Sequence, residues 1–228
     1  MKGKAPKNPL NPVEVCEKCG KTPELCICST LEELKTQTSV LILQHPQEPD
    51  KDLGTAKIAQ LSLKNSKLKV GLSWANLDKA WGEKTNRDHW LVLYLGSADV
   101  ARLHNIKKPA IALIDKKNKI FSKPENDEYL EHFSTSKRKG IIILDGTWSQ
   151  AKTIWWRNAW LTKIQRAVVL APSVSLYGKL RKEPKKESLS TIEAIAYTLA
   201  VLDSNKEVPD KLLGHFGTLL KKYKQSKS

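Results

Sequence analysis

The chain reads as an α/β protein, a mostly parallel sheet with helices on both faces, preceded by a small cysteine-bearing arm. Three observations predict this. Short runs of branched apolar residues, such as SVLILQ, AIALID and IIILD, recur with helical stretches between them. Such runs lack polar alternation, which marks strands buried on both faces, as parallel sheets require. All four cysteines fall within CEKCGKTPELCIC near the N-terminus. A length of 228 residues has room for one sizeable domain and a small appendage, and the expected division is an arm over 1–36 and a body over 37–228.

Taken in order, SVLILQHPQE predicts a strand over 39–44 that ends in a loop carrying His45, Pro46 and Glu48. A helix over about 55–63 follows. WLVLYLG at 90–96 predicts a second strand, with a turn at Gly96 and Ser97 and a helix through 103. AIALID at 110–115 is the third strand, closed by the turn DKKNK. IIILD at 141–145 is the fourth, and 148–161 is its helix. AVVLAP at 167–172 is the fifth. STIEAIAYTLAVLD at 190–203 has helical periodicity and opens with Ser190 followed three residues later by Glu193, a capping box. KKYKQSKS at the C-terminus reads as a basic tail.

Charge points to a polyanionic partner. Thirty-nine basic residues against 24 acidic ones give a formal net charge of +15, an excess that favours nucleic acid through counterion release. The clusters within the body are Lys137 to Lys139, Lys152 with Arg157, and Arg181 and Lys182 with Lys185 and Lys186. No run approaches the ~20 apolar residues needed to span a bilayer, and no basic amphipathic anchor helix is visible, so no membrane partner is expected. MKGKAPKNPLNPVEV carries no apolar core of a secretory signal, which makes a cytoplasmic protein the expectation.

Cys16, Cys19, Cys26 and Cys28 form the pattern C-x2-C-x6-C-x-C. A reducing compartment disfavours disulfides. Two cysteine pairs on tight turns suit tetrahedral thiolate coordination, which predicts a structural zinc, with an iron–sulfur cluster as the competing reading. Four protein ligands leave no open position, so this metal holds structure and takes no part in catalysis.

In parallel sheets ligands collect at the carboxyl ends of the strands. Those ends carry His45 and Glu48, Gly96 and Ser97, Asp145 with Thr147 and Trp148, and Pro172 with Ser173. No G-x-G-x-x-G or P-loop motif occurs, so a dinucleotide or nucleotide triphosphate site of the familiar kinds is not supported. Asp145 is either a catalytic carboxylate or the N-cap of the helix after it. Trp148 is either a wall for a flat ligand or core. Trp155 and Trp156 point about 100° apart on a helix, and the tryptophans crowded over 155–160 read mainly as packing.

These motifs, taken in order, resemble the DTW-domain family: the cysteine knuckle, QHPQE at 44–48, Thr55, VLYLG at 92–96, LDGTWSQAK at 144–152, Tyr177 with Leu180, Arg181 and Lys182, and LSTIEA at 189–194. One departure is Leu95, where proline is expected. The resemblance implies a SPOUT-like fold with a C-terminal trefoil knot that binds S-adenosylmethionine as donor substrate. It also implies transfer of the 3-amino-3-carboxypropyl group to N3 of a tRNA uridine. Asp145 and Trp148 are then the catalytic residues. The cofactor pocket falls to Leu93, Gly96, Thr147, Leu170, Leu189, Ser190, Thr191 and Glu193, with free N–H groups of the helix after Ser190 facing the donor carboxylate. RNA contact falls to His45, Lys152, Arg157, Tyr177, Arg181 and Lys182. SPOUT relatives are often dimers, which bears on oligomeric state by analogy only. The rival readings are an RNA methyltransferase on the same fold and a non-catalytic zinc-bearing RNA-binding protein.

Overall fold

The computed structural model describes residues 14–98, 106–120, 133, 139–180, 189–203 and 205–227. The strands are β1 (Ser39–Gln44), β2 (Ser66–Val70), β3 (Trp90–Leu93), β4 (Ala110–Ile114), β5 (Gly140–Asp145) and β6 (Gln165–Leu170). The helices are α1 (Ala56–Ser62), α2 (Leu77–Trp81), α3 (Trp148–Arg157), α4 (Thr191–Leu202) and α5 (Glu207–Gln225). One six-stranded sheet runs in the order β2-β1-β5-β3-β6-β4. Every pairing is parallel except that of β4 with β6, an antiparallel edge.

The apolar runs become strands because both of their faces are covered. Val40, Ile42, Ile141 and Ile143 join Ile58, Ile192, Ile195 and Phe216 in one core, beneath α1, α4 and α5. Leu41, Leu43, Ile142 and Leu144 face the other way, against Ala151, Ile154 and Trp81 of α3 and α2. At the start of β5, Gly140 lies under Trp90, and a Cβ there would come within 2.6 Å of the indole. Leu25, Ile27 and Leu34 sit in the first of these cores, so the cysteine arm packs onto the body instead of standing off it.

Several expected elements change. Residues 221–225 of the region read as a basic tail are the end of α5, whose Leu212, Phe216, Leu219 and Leu220 form a buried stripe at the i, i+4, i+7 and i+8 spacing of a core-facing helix. SKLKV forms the half-buried strand β2, which its lysines concealed. The helix expected over 148–161 stops at Arg157 and gives way to a 3-10 turn, Ala159–Lys163. There Asn158 turns its side chain on the backbone, its Nδ2 donating to the Ile154 and Leu72 carbonyls at 2.7 and 2.9 Å, so it competes with helical bonding. Lys139 is not part of a surface cluster: it is buried, its Nζ donating to the Leu202 carbonyl at 2.7 Å and lying 3.5 Å from Asp203 Oδ1. Residues 99–103 of an expected helix lie outside the described residues, as do Arg181, Lys182, Lys185 and Lys186.

Candidate active site

β1 leads through α1 to β2 on one side, whereas β5 leads through α3 to β6 on the other, with α1 and α3 on opposite faces. Adjacent strands whose connections diverge in this way open a crevice at their carboxyl ends, where α/β sheets place ligands. Gln44 and Asp145 are register partners at that point. The Gln44 amide Nε2 donates to Asp145 Oδ2 at 2.9 Å. The Thr191 hydroxyl, in the first turn of α4, donates to Asp145 Oδ1. The His45 N–H donates to the Asp145 carbonyl at 3.0 Å, which extends the β1–β5 ladder by one step. Asp145 is therefore fixed from two other segments while its residue stays 9% exposed.

Asp145 is not the helix cap. Thr147 caps α3: its Oγ1 accepts from the Gln150 N–H, and Gln150 Oε1 accepts from the Thr147 N–H at 2.6 Å. Between them Gly146 takes φ +153, and a Cβ there would lie 2.9 Å from the Gln150 Cβ. The glycine lets the chain turn sharply from strand to helix, so Asp145 ends the strand while the cap of α3 falls to Thr147.

Glu193 is completely buried. Its carboxylate accepts from Ser175 Oγ at 2.7 Å, the Leu176 N–H at 2.7 Å, the Ser190 N–H at 2.8 Å and Ser190 Oγ at 2.7 Å. Glu193 and the buried Ser190 thereby join the loop after β6 to the start of α4. Two of the N–H groups expected to face a ligand are engaged, Ile192 donating to Thr55 Oγ1 at 3.2 Å and Glu193 to Ser190 Oγ at 3.3 Å. Thr191, expected in the donor pocket, hydrogen-bonds Asp145, and Thr147, expected there too, caps α3. Tyr177, expected on the RNA face, is buried; its hydroxyl donates to the Leu53 carbonyl at 2.8 Å and its ring lies edge-on to Phe216.

The other expected site residues divide as follows. Trp148 is half-buried against a small cluster of Leu95, Ala98 and Leu170, at the carboxyl ends of β3 and β6. Leu93 packs on the core, Gly96 turns with φ +59, and Leu189 is half-buried beside the capping box. His45 Nδ1 accepts from the Gln47 N–H at 3.3 Å. Lys152 and Arg157 are exposed on α3. Gln44 and Thr55 were not assigned roles from sequence. Their signal is positional: Gln44 ends the strand that pairs with the Asp145 strand.

The four cysteines come together. Cys16 and Cys28 sulfurs are 3.8 Å apart, as are Cys19 and Cys26, and all four lie within 4.8 Å of one another. Thiolates at ~2.3 Å from a tetrahedral ion stand about 3.8 Å apart, whereas disulfide sulfurs sit at about 2.05 Å. The set therefore fits a metal ion. Backbone N–H groups of Cys19 and Lys18 pull the Cys16 thiol down to about 6, while burial pushes the Cys19 and Cys28 thiols up. Lys21 is buried beside them, and that burial lowers its pKa. Its Nζ donates to the Asp52 carbonyl at 2.8 Å, and Lys222 Nζ donates to the Cys26 carbonyl at 2.6 Å. The knuckle is thus tied both to the β1–α1 loop and to α5.

The DTW domain model matches residues 13–224. The chain belongs to the DTW-domain family. Its DTW relatives include a tRNA-uridine aminocarboxypropyltransferase 2 of Macaca fascicularis, 30% identical over 213 residues, which cover 91% of this chain and 63% of the relative. A Drosophila melanogaster protein of the same name is 29% identical over 222 residues, covering 94% and 76%. A tRNA-uridine aminocarboxypropyltransferase A of Arabidopsis thaliana is 24% identical over 219 residues, covering 88% and 77%. The DTW chain thus spans under two thirds of the macaque relative's length. No solved structure matches it. No helix among the described residues is long and apolar enough to cross a membrane.

Proposed function

We propose that the chain transfers the 3-amino-3-carboxypropyl group of S-adenosylmethionine to N3 of a tRNA uridine, releasing methylthioadenosine. The observation that carries this is Asp145, held at the switch point by Gln44 and Thr191 instead of being used as a helix cap. The names of the relatives supply the reaction class.

S-adenosylmethionine supplies a sulfonium whose departing thioether is neutral. Uracil N3 carries a proton at neutral pH, so Asp145 accepts the N3–H hydrogen bond and takes that proton as the new bond forms. Gln44 and Thr191 fix the carboxylate so that its direction is set before substrate arrives. The methyl group of the donor is the less hindered target, so transfer of the longer chain depends on orientation. The turns after β3 (Leu93, Gly96) and β6 (Leu170), with Leu189, border the donor, and Trp148 walls the reacting face. A SPOUT-like trefoil arrangement of the α4 segment belongs to this reading.

N3 lies on the pairing edge, so the uridine must be unpaired before it reacts. Lys152 and Arg157, with Arg181 and Lys182 beyond the described residues, hold phosphates. Cys16, Cys19, Cys26 and Cys28 hold a structural zinc that braces the fold and stays out of the chemistry.

The test is mass spectrometry of purified protein with unmodified tRNA and S-adenosylmethionine, reading nucleosides and by-products. Aminocarboxypropyl-uridine with methylthioadenosine is the expected result. Methylated nucleoside with S-adenosylhomocysteine would overturn the chemistry, and tRNA binding with neither product would replace an enzyme with a binding protein.

A further inference from the structure

We infer that Trp156 on the outer face of α3 is a stacking platform for a nucleobase of the RNA, set apart from the reacting uridine. The inference rests on the tRNA reading above. The neighbouring aromatic residues pack inward: Trp155 stacks on Tyr94 with centroids 4.7 Å apart, and the Trp160 indole N–H donates to the Trp74 carbonyl at 2.9 Å. Trp156, about 100° round the helix from Trp155, is 69% exposed. Packing therefore accounts for its neighbours and not for it. An indole left in water is a large apolar surface whose burial on a partner is favourable.

The surroundings select the partner. Lys152 lies one turn before Trp156 on the same helical face, and Arg157 follows it; both are exposed. From 146 to 182 the sequence contains no aspartate or glutamate and seven lysines or arginines. An exposed indole among cations, without acids, matches single-stranded nucleic acid, in which bases stack and phosphates pair with the charges. A two-fold contact between copies of this face would set like charges against each other.

The position of Trp156 also has a consequence. It lies eight residues beyond Trp148 on one helix, or about 12 Å along the axis, more than three stacked-base spacings of ~3.4 Å. A base on Trp156 is thus a flanking nucleotide, and the platform sets where along the RNA the reacting uridine falls.

The experiment measures binding of unmodified tRNA and of an oligouridine strand to the full chain by fluorescence anisotropy across salt concentrations. Trp156→Ala weakens binding about tenfold or more, Trp156→Phe retains most of the affinity, and neither changes the slope of affinity against salt. Lys152→Gln lowers that slope by about one. Equal affinity for wild type and Trp156→Ala overturns the platform even if transfer products form. A wild type that binds through Trp156 but yields no transfer product keeps the platform and removes the transferase reading. Loss of self-association in Trp156→Ala, with unchanged RNA affinity, makes the face a dimer contact and overturns the inference.

Discussion

The two ends of α4 meet the same two strands with opposite purposes. At its C-terminal end, Asp203 accepts from Thr38 Oγ1 at 2.5 Å and from the Gln37 and Thr38 N–H groups just before β1, while Lys139 just before β5 closes the contact. At its N-terminal end, Thr191 reaches Asp145 where β5 ends, and Gln44 reaches it from the end of β1. Both ends use a buried carboxylate. At one, an ammonium and backbone donors clamp the acid and lock the helix to the sheet. At the other, Gln44 and Thr191 hold an acid at the carboxyl ends of the strands. The acid beside a buried cation holds the fold together, and we propose that the acid held by Gln44 and Thr191 at the switch point serves the chemistry.

The largest expected effects break the comparison at one end each. Asp145→Asn keeps the fold, with a melting temperature near wild type, and lowers transfer kcat/KM by about 10²- to 10⁴-fold. Wild-type turnover in that variant would take the aspartate out of the mechanism. Lys139→Met does the reverse. It strands Asp203 in the interior, at a cost of about 3–5 kcal/mol, read as a lower denaturant midpoint, while the folded fraction keeps its transfer rate. A loss below ~1 kcal/mol would mean that the lock is decorative.

The contrast between the two ends was only half legible in the sequence. Ser190-x-x-Glu193 reads directly as a capping box and forms one. Thr147-x-x-Gln150 has the same grammar and also forms one, but the acid two residues earlier left Asp145 standing as an alternative cap. The central strands were readable because both faces are apolar. β2 was not, because its lysines lie on a half-buried edge strand where alternation is weak. Glu193 and Tyr177 belong to motifs that look functional, yet pairwise spacing cannot show that a carboxylate is consumed by four donors or that a phenol is buried under α5. Those facts depend on contacts between residues far apart in sequence. Lys139 was misread for the same reason, since its partner is 63 residues away.

The cysteine knuckle is tied to α5 by Lys222 and, beyond the carboxyl end of β1, to the β1–α1 loop by Lys21. Replacing Cys16 and Cys19 with serine removes the bound metal and lowers the melting temperature by roughly 5–10 °C, about 2–3 kcal/mol for a chain of this size. A chelator should produce the same shift in the wild type and none in the variant. Metal is lost as pH falls, since protons compete for the thiolates. About one zinc per chain in the double variant would refute the four-sulfur site.

The smallest effects sharpen the comparison most, because they change one hydroxyl at each end of α4. Thr191→Val removes a donor from Asp145 and lowers transfer about tenfold, the loss expected for one hydrogen bond to a charged group. Its melting temperature moves by less than about 3 °C, and Thr191→Ser restores the rate. Thr38→Val removes the matching donor from Asp203. It costs about 1.5–3 kcal/mol of stability and leaves the transfer rate of the folded protein unchanged. If both variants lost stability alike and neither lost rate, the threonine on Asp145 would be a second lock, and orientation of the carboxylate would rest on Gln44.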